Sequence, residues 1–496
     1  MGEIGFDADK YIEEQSKYIL ERINAGSGKR LYLEFGGKLV HDKHAMRVLP
    51  GFDENAKVKL LQRMKDQAEI IICIYSGDII NSKTRQDFGI TYDLEVLRLI
   101  DIFRKHNLKI NSVVVTRYED APAVNRFINK LERRDIKTYK HCFTKGYPTD
   151  VDTIVSEEGY GANPYIEVTK PLVVVTGPGG GSGKLATSLS QLYHEYKRGT
   201  KARYAKFETF PIWNLPLKHP VNLAYEAATA DLKDVNMIDP YHLEAYNIRT
   251  VNYNRDIEVF PVVKTILKRI LGKNVYLSPT DMGVNMAGYA IEDDQQVRAA
   301  ANEEIIRRYF KIRCDFIQGL VDAETVEKIE LIMNEADLKP SDRRVVQPAL
   351  EKARLKNAPA MAMHLRTGEI VTGRNTNLMT AAASCTLNAL KVLSGLDDAM
   401  LLIAPVVLEP ILRLKKDIYG SDKPLLSLEE VLISLSISAV TNTMADIALK
   451  NLDRLSGCEA HSTVILSPGD DIVCKKLGYN LTCEPAFASN DLYDGK

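Results

Sequence analysis

The chain has 496 residues, about three times the usual length of one folding unit, so we expect two or three domains. Hydrophobic residues make up 45% and charged residues 26% of the sequence, which excludes a disordered or fibrous protein. With 65 basic and 66 acidic residues the net charge is -1, so no overall field attracts nucleic acid or an anionic membrane.

The cysteines and the N-terminal residues indicate the cellular compartment of the protein. Seven cysteines are scattered, with neither a CxxC pair nor a close Cys/His spacing, which indicates reduced thiols and predicts neither a disulfide framework nor a structural zinc site. The start of the chain, MGEIGFDADK, is charged and has no apolar signal core, and no stretch reaches about 18 uninterrupted apolar residues. We therefore predict a cytoplasmic protein with no membrane or nucleic-acid partner.

The first part of the chain alternates between helical patterns and short apolar strands. The strands are RLYLEFGG, EIIICIYSGD, NSVVVT, IKTYKH and PLVVVT. Because strands that are apolar on both faces lie between layers of helices, this order predicts an α/β fold with a Rossmann-like, doubly wound and mostly parallel sheet. Ligands of such sheets bind beyond the carboxyl ends of the strands, so residues that follow a strand are the candidates for a site.

The pattern changes twice further along the chain. After a predicted strand in ARYAKFETFPIW, residues from about 219 to 336 are mainly helical, and the polar stretch NEADLKPSDRRVVQP predicts a linker. Beyond it, APAMAMHLRTGEIVTGR predicts a hairpin and AMLLIAP a strand. We predict a Rossmann-like α/β domain over 1–235, a mainly helical region over 236–345 and a smaller C-terminal α/β domain over 346–496.

The stretch PLVVVTGPGGGSGKLAT joins an apolar strand to a helix through a P-loop-like glycine loop. Glycines let consecutive backbone N–H groups face one hollow, the helix N-terminus favours negative charge, and a lysine adds a point charge for a phosphate. These features predict a phosphate-binding site. Its residues are Gly177, Gly179, Gly180, Gly181, Ser182, Gly183 and Lys184.

The loop departs from the GxxxxGK[ST] pattern at two positions. Pro178 stands where the first glycine belongs and removes one amide donor, and Leu185 replaces the hydroxyl residue that binds Mg²⁺. Thr187 and Ser188 are the nearest substitutes, which leaves Mg²⁺ open as a cofactor. The alternative is a glycine turn that only lets the helix pack closely on its strand.

Other candidates follow the remaining strands or lie in irregular segments. Asp78 is a candidate acid/base group or metal ligand, against the alternative of a polar turn residue, and Lys38 is a pocket candidate within a charged loop. Arg117 shares an anionic ligand with Lys184 if their strands are neighbours. Further along, the segments rich in proline and aromatic residues hold candidates for a substrate or metal site, against the alternative of helix caps or surface residues: His219, Glu226, Asp231, Asp239 and His242. Asn285 is a further pocket candidate.

Several long motifs resemble a known family. The stretches LYLEFGGKL, GITYDLEVLRLID, SEEGYGANPYIE, PLVVVTGPGGGSGK and KFETFPIWNLPLKHPVNLAYEAATADL are similar to the DUF1846 (UPF0371) family of uncharacterised bacterial proteins, from near residue 5 to near residue 487. The resemblance implies a bacterial cytosolic protein with an N-terminal Rossmann-like part and a smaller C-terminal α/β part. It assigns no catalytic residue.

The sequence leaves two functional hypotheses. In the first, the chain binds a phosphorylated small molecule or a nucleotide at residues 177–184 and carries out phosphoryl or nucleotidyl transfer or hydrolysis. In the second, it is a non-catalytic ligand-binding or scaffold protein that assembles as a homo-oligomer. A phosphorylated ligand is the expected partner in the first hypothesis.

Overall fold

The structure is a computed structural model that describes residues 4–24, 30–85, 89–420 and 424–489. The chain divides into two compact units. The first consists of Met1–Thr229 and Asp234–Ala301, and the second of Ala230–Lys233 and Asn302–Lys496.

Strands and helices alternate through the first unit. In chain order they are α1 (Ala8–Asn24), β1 (Arg30–Phe35), α2 (Lys43–Val48), α3 (Ala56–Arg63), β2 (Ala68–Tyr75), α4 (Ser76–Ile80), β3 (Thr84–Arg85), β4 (Ile90–Thr91), α5 (Tyr92–Lys105), β5 (Ile110–Thr116), α6 (Pro122–Glu132), β6 (Lys137–Lys140), α7 (Val151–Ile154), β7 (Leu172–Thr176), α8 (Lys184–Lys197), β8 (Ala202–Phe207), α9 (Pro220–Ala228), β9 (Asn236–Ile238), α10 (Pro240–Tyr246), β10 (Val251–Tyr253), α11 (Asn254–Leu271), α12 (Pro279–Met282) and β11 (Gly283–Val284).

The remaining elements are richer in helix. They are α13 (Asp294–Ile317), α14 (Ala323–Glu335), α15 (Val346–Lys356), β12 (Ala360–His364), β13 (Ile370–Arg374), α16 (Ala381–Leu393), α17 (Pro405–Asp417), α18 (Leu428–Ser438), α19 (Thr443–Lys450), β14 (Glu459–Ser462), α20 (Pro468–Lys476) and β15 (Asn480–Cys483).

A seven-stranded parallel sheet forms the centre of the first unit. Its strand order is β11-β8-β1-β7-β2-β5-β6. Successive residues of β1, Tyr32 and Leu33, are both buried, so both faces of the sheet are covered. On the face of Tyr32 the cover includes Leu189 of α8 and Phe260 of α11. The predicted mixed α/β fold with a parallel sheet is confirmed, and the carboxyl ends of β1, β7 and β8 are neighbours at one edge.

The second unit has its own sheet and core. Strands β12 and β13 form an antiparallel hairpin, as predicted, within the order β13-β12-β14-β15. The predicted strand AMLLIAP is wrong. Leu402 and Ile403 of that run are buried in the core, but the chain there pairs with no strand and enters α17 at Pro405. An apolar run becomes a strand only where a neighbour can satisfy its backbone groups.

No helix within the described residues is long and apolar enough to cross a membrane.

Candidate functional site

The glycine loop joins β7 to α8 at the carboxyl edge of the large sheet. Strand β7 ends at Thr176 and α8 begins at Lys184. Gly181 and Gly183 have positive φ angles of 73° and 88°, which side chains rarely tolerate. Glycine is therefore needed at both positions for the chain to turn from the strand into the helix.

The other glycines differ in what surrounds them. A Cβ at Gly177 would lie 2.4 Å from Ser182 Oγ, and one at Gly179 would lie 2.6 Å from the Tyr92 hydroxyl. At Gly180 and Gly181, by contrast, a Cβ would meet nothing within 4 Å, and both residues are exposed. Close packing therefore accounts for one side of the loop and leaves the other side open.

The open side carries unused donors. The first backbone hydrogen bond of α8 runs from the Thr187 N–H to the Gly183 carbonyl, over 3.0 Å. Within the described residues, the backbone amides from Gly180 to Ala186 donate to no acceptor. The N-cap residue of α8 is Gly183, which has no side chain to accept from them. Free amides at a helix N-terminus favour an anion, because the helix dipole places about half a positive charge there.

Two cations lie on the loop. Lys184 Nζ donates to the Gly179 carbonyl, over 3.1 Å, and the Arg117 guanidinium donates to the Gly181 carbonyl. The same guanidinium lies 3.5 Å from the centre of the Tyr75 ring. Arg117 has a positive φ of 46°, a strained conformation for a residue with a side chain. Its side chain closes over the glycine loop, so Arg117 and Lys184 flank the same segment although β5 and β7 are separated by β2.

Burial lowers the pKa of Lys184, and the nearby Glu34 carboxylate opposes this shift. The positive charges of Lys206 and Arg255 lower the pKa further. An anion bound beside Lys184 would favour its protonated form.

Asp78 is connected to the loop through two residues, Lys83 and Tyr92. It sits in the short helix α4, is nearly buried, and its Oδ1 lies 3.5 Å from Lys83 Nζ. Lys83 in turn lies 5.0 Å from the centre of the Tyr92 ring, whose hydroxyl packs beside Gly179. The sequence candidate is therefore close to the loop through Tyr92 and already has a cationic partner.

Lys38 follows β1 and is exposed, and its carbonyl accepts a bond from Lys57 Nζ, over 2.9 Å. The hydroxyls suggested as substitutes for the Mg²⁺ ligand are both engaged elsewhere. Thr187 is buried and its Oγ1 accepts a contact from Cys73 Sγ at 3.5 Å, while Ser188 Oγ donates to the Lys184 carbonyl over 2.9 Å. Among the described residues, no group of three or more His, Cys, Asp or Glu could hold a metal ion.

His219 and Asn285 have structural contacts in the first unit. His219 caps α9, with Nδ1 accepting from the Val221 N–H and Nε2 at 2.8 Å from Asp294 Oδ1, and burial lowers the pKa of the imidazole. Asn285 donates to the carbonyls of Thr209 and Pro211 and accepts at its Oδ1 from the Ala287 N–H. Both side chains hold the backbone around them in place, and Asn285 also lines a cavity of the first unit.

A buried charged cluster adjoins the loop at the ends of β1 and β8. Tyr204 donates to Glu34 over 2.7 Å, and Lys206 Nζ lies 2.7 Å from Glu208 Oε1 and also contacts Asp256. Burial alone would lower the pKa of Lys206, but the Asp256 and Glu208 carboxylates raise it well above its usual value. Burial raises the pKa of Glu208 to about 7, against the effect of Lys206.

A cavity of about 230 Å³ opens beside this cluster, beyond β8 and β11. Its lining brings together side chains from five segments of the first unit, including Glu208, Trp213, His242, Asn252, Asp281 and Asn285. Glu208 and Gly177 follow strands on either side of β1, so their backbones are about 10 Å apart across the sheet.

The sequence interpretation did not identify Lys206, Glu208 and Asn252. The available signal was the lysine next to the end of the strand ARYAKF, since a lysine that a sheet buries requires a carboxylate partner. Asn252 carries no such signal, because only the fold brings β10 beside the end of β8.

The chain was compared with known families and proteins. It matches the family models described as "Domain of unknown function DUF1846, N-terminal" over residues 4–337 and "Domain of unknown function DUF1846, C-terminal" over residues 341–493. It is 60% identical to a UPF0371 protein of Clostridium botulinum (strain Alaska E43 / Type E3) and 59% identical to one of Clostridium tetani (strain Massachusetts / E88). Each alignment spans 499 residues and covers 99% of both chains. The chain therefore belongs to the DUF1846 family of UPF0371 proteins.

Proposed function

We propose that this protein binds a phosphorylated small molecule, such as a nucleotide, with its phosphate on the glycine loop. One observation carries the proposal. The amides from Gly180 to Ala186 have no acceptor among the described residues, and they lie beside Lys184 and Arg117. A phosphate oxygen accepts such amide bonds, and each charge-assisted bond contributes about 1.5–3 kcal/mol.

The open face of the loop supports a ligand over a purely structural turn. A turn that served only packing would need glycine where neighbours crowd the backbone, as at Gly177 and Gly179. Gly180 is exposed, has open space around its Cα and lacks a positive φ angle. Close approach of a ligand to the backbone is a reason for glycine at that position.

Binding is expected to need no Mg²⁺. Leu185 follows the lysine, and the hydroxyls of Thr187 and Ser188 are held by Cys73 and by the Lys184 carbonyl. The amides and the two cations supply the positive potential themselves. Phosphoryl transfer or hydrolysis, with Asp78 as the candidate acid/base group, is the enzymatic form of this proposal.

Thermal unfolding with inorganic phosphate, pyrophosphate and a panel of nucleotides and sugar phosphates tests the proposal, each with and without Mg²⁺. A ligand at 100 times its dissociation constant should stabilise the native state by about 2.7 kcal/mol. The shift should disappear in Lys184→Ala and persist in Lys197→Ala, which removes an exposed charge from the other end of the same helix.

Equal shifts in the two variants, or no shift with any phosphorylated compound, would contradict the proposal. Release of inorganic phosphate on incubation with a stabilising nucleotide would show hydrolysis. A ligand that stabilises the protein and is recovered intact would favour the non-catalytic binding protein.

A further inference from the structure

The cavity beside β8 contains polar groups that the fold does not use. Asn252 is 4% exposed, and its Oδ1 accepts from the Tyr253 N–H over 2.8 Å. Its Nδ2 has no hydrogen-bond partner within the described residues, and the side chain lines the cavity. This nitrogen is not among the fully enclosed polar atoms, so it is reachable from the cavity, and an acceptor on a ligand there can use both of its N–H donors.

A second group with free capacity faces the same space. His242 Nδ1 is 2.8 Å from Ser278 Oγ, which fixes the ring, while Nε2 has no partner in the part of the chain that the structure describes. Glu208 adds an acceptor, because a carboxylate oxygen bound to Lys206 keeps further lone pairs. The lining therefore offers one amide donor, one imidazole nitrogen and one carboxylate at once.

The charge of the lining restricts the ligand. Glu208 and Asp281 line the cavity with no lysine or arginine among its described lining residues, but each has a cation behind it: Lys206 contacts Glu208, and Arg22 donates to the carbonyls of Asp281 and Gly283. The lining therefore has little net charge, which favours neither an anion nor a cation. The Oδ2 atom of Asp281 is already occupied, since it accepts from the Leu277 and Ser278 N–H groups and from the Tyr246 hydroxyl. An uncharged polar molecule fits this balance best.

The aromatic residues restrict its shape. Trp213 and Tyr289 both line the cavity, with ring centres 6.1 Å apart in an edge-to-face arrangement. The indole N–H of Trp213 donates to the Asn285 carbonyl. The faces of both rings are apolar. A ring with an apolar face and hydroxyl groups at its rim satisfies both parts of the lining, because each hydroxyl donates and accepts.

We propose that this cavity is a binding site for a small, uncharged polyhydroxylated ring of the sugar class, held by Asn252, His242 and Glu208 against Trp213. The site is separate from the glycine loop and does not depend on the phosphate proposal. Its volume of about 230 Å³ suits a single small ring.

Tryptophan fluorescence tests the site directly, because Trp213 is the only tryptophan of the sequence. The full-length protein is titrated with free hexoses, pentoses, N-acetylhexosamines and inositol, all uncharged, and at least one should produce a saturable change in emission. Asn252→Asp keeps the acceptor for the Tyr253 N–H and removes the donor, so affinity should fall about tenfold.

Asn55→Asp is the matched control, since it makes the same chemical change at a helix N-cap that forms no side-chain bond. Asn55→Asp should bind the sugar with the affinity of the natural protein. Lys184→Ala should do so as well, which would show that this site is independent of the glycine loop. If Asn252→Asp does not fold, as judged by its melting curve without ligand, Asn252→Ser removes the same donor without adding charge.

Three results would overturn the proposal: no emission change with any free sugar, an equal affinity in the folded Asn252 variant, or a response to amino acids or nucleobases in place of sugars.

Discussion

Arg117 illustrates how a single residue connects the glycine loop to the rest of the sheet edge. Its left-handed backbone costs about 1–3 kcal/mol, and its guanidinium spans from the Tyr75 ring to the Gly181 carbonyl. Both contacts leave the cation beside the free amides of the loop. The strained backbone therefore places a positive charge at the open face of the loop.

We predict that Arg117→Ala weakens the binding of pyrophosphate about tenfold or more, because a charged donor beside the ligand contributes about 1.5–3 kcal/mol. Isothermal titration measures the change. Arg126→Ala, on the exposed side of the helix that follows the same strand, provides the control. Equal affinities in the two variants would show that Arg117 only braces the loop.

The loss of stability on replacing a glycine of the loop by alanine should differ from one position to the next. A Cβ at Gly183 would be 2.7 Å from Thr116 Cγ2 at a φ of 88°, whereas Gly181 has a positive φ but open space, and Gly180 has neither constraint. Replacement by alanine should lower the free energy of unfolding by about 3 kcal/mol at Gly183, about 1–2 kcal/mol at Gly181 and less than about 0.5 kcal/mol at Gly180.

Urea unfolding of the three alanine variants gives these differences. Since Gly180→Ala should be nearly neutral for stability, any loss of phosphate-dependent stabilisation in that variant reports on the binding face alone. A large destabilisation at Gly180, or none at Gly183, would mean that the loop has a different backbone conformation in solution.

Elements were predictable from the sequence where local pattern decides them. The strand β7 and helix α8 follow from LVVVT and from the glycines between them, because buried β-branched runs and glycine turns leave a local signature. The run AMLLIAP has a similar composition but no partner strand, and β9 and β10 are short strands within a region that composition assigns to helix. Pairing is a long-range property that such patterns do not contain.

The two candidate sites also differ in how far the sequence predicts them. The glycine loop is one contiguous segment and was visible in the sequence. The cavity joins Glu208, His242 and Asn252 with Asp281, which come from separate elements of the first unit. None of these residues is unusual in its local context, so their combined chemistry emerges only from the topology.

At the scale of the whole molecule, buried titratable groups couple stability to pH. Burial lowers the pKa of His141 to about 4, while burial raises the pKa of Glu208 to about 7. Between pH 6.5 and 4 the unfolded chain binds a proton at His141 that the native state does not, so stability falls as the pH falls. Between pH 7 and 4.5 the native state binds a proton at Glu208 that the unfolded chain does not, so this group opposes the loss.

We therefore predict opposite effects for two variants in urea unfolding between pH 7 and 5. His141→Gln should make the fall in unfolding free energy shallower, by up to about 1.4 kcal/mol per pH unit, and Glu208→Gln should make it steeper. Above pH 8 the unfolding free energy of each variant should change with pH as that of the natural protein does, because neither group then differs in protonation between the folded and unfolded chains. The same slope in all three proteins would mean that water reaches both side chains in the native state.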